Sequence, residues 1–100
     1  MLAITQLSTQ HLSFNGVLAD NIVKKNPKRI MKRLNFTPEQ KCYEIKRGAK
    51  MGNLIESGLV TLQEAEKYLA EQYFAGRTDY IEGVNKVLSK DVLEKLYLVR

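Results

Sequence analysis

The sequence is poor in the residues that most enzymes and metal sites need. Its 100 residues include no tryptophan, one cysteine, one histidine and two prolines. The single thiol, Cys42, cannot form an internal disulfide, and one imidazole, that of His11, does not complete a zinc site with it. His11 also has no serine or cysteine at a spacing that would align a nucleophile with it. We therefore expect a protein without catalytic activity, metal or cofactor.

Long apolar runs and leader-like segments are also missing. No uninterrupted apolar stretch approaches the roughly 20 residues that a membrane-spanning helix needs. Residues 1–14 carry no basic leader, and Thr, Gln and Ser separate their apolar side chains. These absences predict an intracellular, cytoplasmic protein with no membrane partner.

The size and composition suit one folded domain. With 44% hydrophobic and 27% charged residues, a chain of this length has enough apolar surface for one core but not for two. We expect a single domain over residues 1–100. Residues 3–7 are compatible with a short strand, with a ragged helix or with a loose N-terminal arm over residues 1–12.

Helical periodicity dominates residues 14–34. Apolar side chains recur at spacings of three and four, which predicts a first helix from about 14 to 24. Asn26-Pro27 then interrupts the pattern. Because Asn caps helices well and Pro suits the first helical position, the pair predicts a second, short helix over 27–34.

Two capping boxes mark the next two helices. Residues 37–40 read Thr-Pro-Glu-Gln, which predicts a helix from 38 to about 56 that ends at Gly58. Residues 61–64 read Thr-Leu-Gln-Glu, which predicts a helix that ends at Gly76. Further along, Ser89-Lys90-Asp91 resembles a cap, and we expect two helices there rather than one continuous helix.

These elements predict an all-α protein, a compact bundle of about four to six short helices. Within the longest helix, Gly48 and Gly52 lie one turn apart, with Ala49 beside them. Small residues at this spacing let another helix approach closely, so we expect tight helix packing at this segment.

Positive charge is concentrated in one part of the chain. Residues 24–50 contain ten basic and two acidic residues, a local net charge of +8, whereas residues 51–100 carry a net charge of −2. In the short helix predicted over 27–34, the four basic side chains would occupy one arc and the apolar ones the opposite arc. Such a surface attracts polyanions, although a plain solvated face has the same pattern. The predicted binding residues for nucleic acid or an acidic partner are Lys24, Lys25, Lys28, Arg29, Lys32, Arg33, Lys46, Arg47 and Lys50.

The same region suggests one specific way of reading DNA. A helix over 27–34, a turn at residues 35–37 and a helix from 38 would make residues 27–56 resemble a helix-turn-helix pair. The first turn of the second helix offers few side chains suited to bases or phosphates, so charge is the stronger part of the argument.

Aromatic side chains cluster in the second half of the chain. Around Gly76 lie Tyr68, Tyr73, Phe74 and Tyr80. They either cover the edge of the core or form a protein-docking or self-association surface over residues 68–80.

Two functions follow as expectations. The first is a nucleic-acid-associated accessory or regulatory protein, DNA- or RNA-binding, whose residues 24–50 contact phosphates. The alternative is a stoichiometric protein-binding adaptor or inhibitor of a nucleic-acid-handling enzyme, encoded for example by a phage or mobile element. It would use the basic face or the aromatic cluster. A structural subunit would require self-association.

Overall fold

The computed structural model describes residues 16–97, which fold into five α-helices without a strand. In chain order these are α1 (Gly16–Lys25), α2 (Pro38–Glu56), α3 (Leu62–Phe74), α4 (Thr78–Val87) and α5 (Lys90–Tyr97). The expected all-α bundle is confirmed. The predicted arm at residues 1–12, with His11, lies outside the described residues. None of the five helices is long and apolar enough to cross a membrane.

The two capping boxes start α2 and α3 as predicted. At α2, the Gln40 N–H donates to the Thr37 hydroxyl at 3.2 Å, and the Thr37 N–H donates to the Gln40 side chain at 2.9 Å. Thr61 and Glu64 repeat the exchange at α3, at 3.1 and 3.2 Å. Each exchange satisfies N–H groups that a helix start leaves unpaired, so short sequence motifs fix both helix starts.

The predicted helix ends are also confirmed. Gly58 follows α2 with φ +84°, and Gly76 follows α3 with φ +96°, the left-handed conformation that closes helices. Beyond α4 the helical structure is interrupted at Ser89, whose hydroxyl accepts a hydrogen bond from the Val92 N–H at 3.2 Å. The Ser89 N–H in turn donates to the Glu56 carboxylate at 3.0 Å, and this bond joins the link between α4 and α5 to the end of α2. Two helices, as expected, therefore occupy the C-terminal segment.

The short helix predicted over residues 27–34 is wrong. Asn26 closes α1 instead of starting a new helix, because its side-chain amide donates to the Ile22 carbonyl at 2.8 Å. A turn at residues 27–28 follows, and residues 29–37 have no regular secondary structure. The Lys32 N–H donates to the Phe74 carbonyl at 3.0 Å, a tertiary partner that replaces a helical one.

The apolar arc predicted for that helix is not used as a packing face. Ile30 is 88% exposed and Leu34 is 41% exposed, while Met31 packs against the core. So short a helix is marginal unless it packs an apolar face, which explains why the periodicity misleads here. Without its first helix, the helix-turn-helix-like arrangement over 27–56 is wrong as well.

Helices α2 and α4 form the closest pair in the bundle. Gly48 lies against the backbone of Tyr80, so a Cβ added there would collide with the Tyr80 carbonyl. Gly52 lies against Val87, where an added Cβ would be 2.9 Å from the Val87 Cβ. The later residue of α2, Gly52, therefore meets the later residue of α4, Val87, so the two helices run in the same direction. The close packing expected at Gly48 and Gly52 is confirmed.

Helix α4 contributes a third glycine to this contact and also faces the main core. An added Cβ on Gly83 would collide with the Ile45 carbonyl of α2. Helices α1 and α3 pack elsewhere on α4, and α5 packs on α1 and α3. The largest fully buried side chains come from these four helices and are Leu18, Ile22, Leu69, Ile81, Val84 and Leu96. Helix α2 makes its extensive contacts with α4 alone, which leaves its opposite side in solvent.

We expect Gly48→Ala to destabilise the protein by about 3 kcal/mol, because a methyl group meets backbone rather than a flexible side chain. This cost outweighs the roughly 1 kcal/mol that alanine gains over glycine inside a helix. Urea unfolding measures the change.

The matched control is Gly58→Ala. Nothing lies within 4 Å of a Cβ placed there, so only the positive φ opposes it. This should cost roughly 1 kcal/mol. Equal stability of Gly48→Ala and the unmodified protein would contradict the close approach of α2 and α4.

Candidate nucleic-acid interface

Residues 24–35, which we call the basic segment, lie across the end of α3. Beside the Lys32–Phe74 hydrogen bond, the Arg29 guanidinium sits 4.5 Å from the centroid of the Phe74 ring. Gly76 allows Lys32 and Leu34 to approach the end of α3, because a Cβ on residue 76 would be 2.6 Å from the Lys32 carbonyl oxygen and 2.8 Å from the Leu34 Cγ. Backbone and ring contacts thus hold residues 29–35, which have no helical structure, in place.

Most of the predicted cations of the basic segment project into water. Lys24, Lys28, Lys32 and Arg33 are exposed, and within residues 16–97 no carboxylate lies within 4 Å of them. Two predicted residues are engaged. Lys25 lies 3.8 Å from the Glu66 carboxylate, and Arg29 covers Phe74.

Helix α2 carries the remaining predicted cations. Lys46 and Lys50 are one turn apart on its exposed side, and Lys41, which the predicted set omitted, is exposed near its start. None of these three has a carboxylate within 4 Å in the part of the chain that is described. Arg47 differs, since its Nη1 lies 2.8 Å from Glu44 Oε1.

Glu44 is a buried acidic residue whose role the sequence did not predict. It is 5% exposed, and its second carboxylate oxygen lies 3.2 Å from Arg77 Nη1. One buried carboxylate therefore joins two arginines and ties α2 to the start of α4. The signal was present in the spacing, because position 44 falls on the helical face of Gly48, Gly52 and Ile55, all buried.

The four predicted aromatic residues separate into two pairs. Tyr68 and Tyr80 meet edge to face with centroids 6.1 Å apart, and Tyr73 and Phe74 do so at 5.0 Å. Phe74 and Tyr80 are buried, Tyr73 packs on the core, and Tyr68 is 38% exposed. Burial, helped by the neighbouring Tyr68, raises the pKa of the Tyr80 phenol above its ordinary value, so Tyr80 stays neutral. Of these four residues, Tyr68 alone offers substantial aromatic surface to a partner.

A pocket of about 390 Å³ opens between α2 and α3. Its lining residues are Tyr43, Arg47, Lys50, Met51, Leu54, Tyr68 and Tyr80. Tyr43 is 63% exposed, and the Arg47 guanidinium lies 6.0 Å from its ring centroid and 5.0 Å from that of Tyr80. The fold thus brings Tyr68 and Tyr80 beside Tyr43, a grouping that their separation along the chain concealed.

A larger and more apolar pocket of about 580 Å³ continues this opening and shares Met51 and Tyr68 with it. Val60 and Gln72 line it together with the charged side chains of Glu64, Lys67 and Glu71. The opening is therefore basic and aromatic at the Tyr43 end and of mixed charge at the other.

Nothing in the described part of the chain forms a metal site, since it contains no group of three His, Cys, Asp or Glu side chains that could hold an ion. Comparison of the chain with protein-family models, with curated proteins and with solved structures gives no match.

We expect Glu44→Gln to destabilise the protein by about 2 kcal/mol, because it leaves Arg47 and Arg77 together without their shared counter-charge. Both guanidinium groups are partly exposed, which keeps the cost below that of a fully buried pair. Urea unfolding measures the change.

Asp91→Asn provides the comparison, since the Asp91–Lys95 pair is exposed and should contribute less than about 1 kcal/mol. A double-mutant cycle on Glu44 and Arg77 isolates their coupling. If Glu44→Gln costs no more than Asp91→Asn, the carboxylate does not hold α2 to α4.

Proposed function

We propose that the protein binds nucleic acid through the phosphate backbone and acts as a non-catalytic accessory or regulatory protein. The supporting observation is a set of exposed cations without carboxylate partners in residues 16–97. They are Lys24, Lys28, Lys32, Arg33, Lys41, Lys46 and Lys50. A polyanion that neutralises such a set releases its own counterions, which gives binding energy that falls with salt.

The distribution of the acidic residues strengthens the argument. Glu44, Glu66, Glu82 and Asp91 each pair with a basic side chain outside this set. Surface pairs of this kind form readily where opposite charges are available. Residues 24–50 contain only two acidic residues, so seven of their ten cations are left to water and to any anionic partner.

The shape of the basic segment favours backbone binding over sequence reading. Direct readout requires a helix or a two-stranded ribbon in the major groove, and residues 29–37 form neither. An irregular segment with side chains spread along it is suited to following phosphates. We therefore infer that this segment binds with little dependence on base sequence.

A protein-binding adaptor or inhibitor is the second candidate. The observation that favours it is the 580 Å³ pocket, where Met51 and Val60 offer apolar surface beside exposed Leu54 and Leu59. Such a partner would depend on these apolar side chains and little on the basic segment. Self-association through the same surface and a cytoplasmic location stay predictions.

The test is fluorescence anisotropy with labelled single-stranded and duplex oligonucleotides over a series of salt concentrations. The test variant carries Lys24→Gln, Lys28→Gln, Lys32→Gln and Arg33→Gln. The matched control removes the same charge from the other half of the chain, with Lys86→Gln, Lys90→Gln, Lys95→Gln and Arg100→Gln. We expect the test variant to lose at least about tenfold in affinity at about 100 mM salt and its salt slope to fall by about three.

The control variant should bind nearly as the unmodified protein does, apart from a small loss due to lower net charge. Circular dichroism confirms that both variants keep their helix content. Equal losses in the two variants would reduce the interaction to general charge attraction and contradict the proposed surface. Absence of binding at low salt would overturn the function and turn attention to the apolar pocket.

A further inference from the structure

We propose that the 390 Å³ pocket beside Tyr43 accepts an unpaired nucleobase, which makes single-stranded nucleic acid the preferred ligand. This inference rests on the proposed function and adds to it a site and a class of nucleic acid. Phosphate contacts alone do not distinguish a single strand from a duplex, whereas a pocket for an unstacked base does.

The pocket combines the two features that single-strand binding sites use, which are aromatic surface and positive charge. Tyr43, 63% exposed, and Tyr68, 38% exposed, both line it, and Lys50 and Arg47 supply the cations. An isolated exposed aromatic residue is ordinary on a protein surface. Two partly exposed rings in one pocket with two cations form a more specific arrangement.

Arg47 is held in place before any ligand arrives. Its bond to Glu44 and its stacking near Tyr80 fix the guanidinium plane, so little side-chain freedom is lost on binding. Arg47 contributes planar surface and N–H donors, and Glu44 offsets only part of its charge because the carboxylate is shared with Arg77. Lys46 and Lys50, on the exposed side of α2, add further positive charge near the pocket.

Size and charge favour this occupant over a protein segment. The volume lies near the lower end of the roughly 300–1,000 Å³ range of pockets that hold small ligands. No acidic residue lines it, in contrast to the neighbouring pocket with Glu64 and Glu71. In a duplex the bases are stacked and paired and do not reach such a pocket, which gives the preference for a single strand.

Tryptophan reports on the pocket directly, because the chain contains none. We expect a Tyr43→Trp variant to lose fluorescence when it is titrated with a single-stranded oligothymidine, because a stacked base quenches the indole. A duplex of the same length should change it far less. The control is Leu59→Trp, which places an exposed tryptophan beyond the far end of α2 and should stay unquenched.

Substitution at the same position measures the contribution to binding. Tyr43→Ala should weaken single-strand binding by about tenfold at constant salt and leave duplex binding unchanged. Tyr43→Phe keeps the ring and should bind as the unmodified protein does. Since the Tyr43 side chain is mostly exposed, neither change should lower the unfolding midpoint appreciably.

The outcomes separate this inference from the proposed function. If oligonucleotides bind in a salt-dependent way but do not quench the Tyr43→Trp variant, and Tyr43→Ala binds normally, the base pocket is wrong and the phosphate surface stands. If no nucleic acid binds, both fail. Quenching of the Tyr43→Trp variant by an acidic peptide but by no oligonucleotide would also overturn both, in favour of a protein partner.

Discussion

The close approach of α2 and α4 is the contact on which the candidate interface depends. Glycines at positions 48, 52 and 83 let backbone lie against backbone, where a Cβ at Gly48 or Gly83 would collide with a carbonyl group. This approach brings Glu44 to Arg77 and lays Arg47 over Tyr80. The same approach leaves the opposite side of α2, with Tyr43, Lys46 and Lys50, exposed to solvent. The packing of small residues thus decides which charges are structural and which are available.

Arginine and lysine have different roles in this protein. Arg29 stacks on Phe74, and Arg47 and Arg77 share Glu44, so three arginines serve mainly to hold elements together. The cations of the proposed surface are lysines except for Arg33. The planar guanidinium stacks and binds carboxylates well, whereas the compact ammonium group keeps its hydration. The proposed binding energy therefore comes from hydrated, flexible charges, and strong sensitivity to salt follows.

Local chemistry explains what was predictable from the sequence. Capping boxes at residues 37–40 and 61–64 and the closing glycines Gly58 and Gly76 act within a few residues, and the helices they delimit were predicted correctly. The spacing of Gly48 and Gly52 indicated a close helix contact. The concentration of positive charge in residues 24–50 was equally visible.

Contacts between residues far apart in the chain explain the features that were not predictable from the sequence. The segment at 27–34 has helical periodicity, but its backbone bonds to Phe74, more than forty residues away, and Gly76 leaves room for it. In the sequence, Glu44 entered only the charge balance of residues 24–50, and Arg47 was predicted as a binding cation. The roles of both residues depend on Arg77, which lies 33 residues beyond Glu44 in the chain and which only the fold places beside it. The pocket at Tyr43 depends likewise on Tyr68 and Tyr80, which only the fold brings near.

An amide NMR titration with a single-stranded oligonucleotide tests the central claim most directly, because it locates binding residue by residue. The account predicts shifts concentrated in residues 24–35 and along the exposed side of α2 from Tyr43 to Leu54, and their decline with added salt. Shifts concentrated on α3 and α5, or none at low salt, would contradict it.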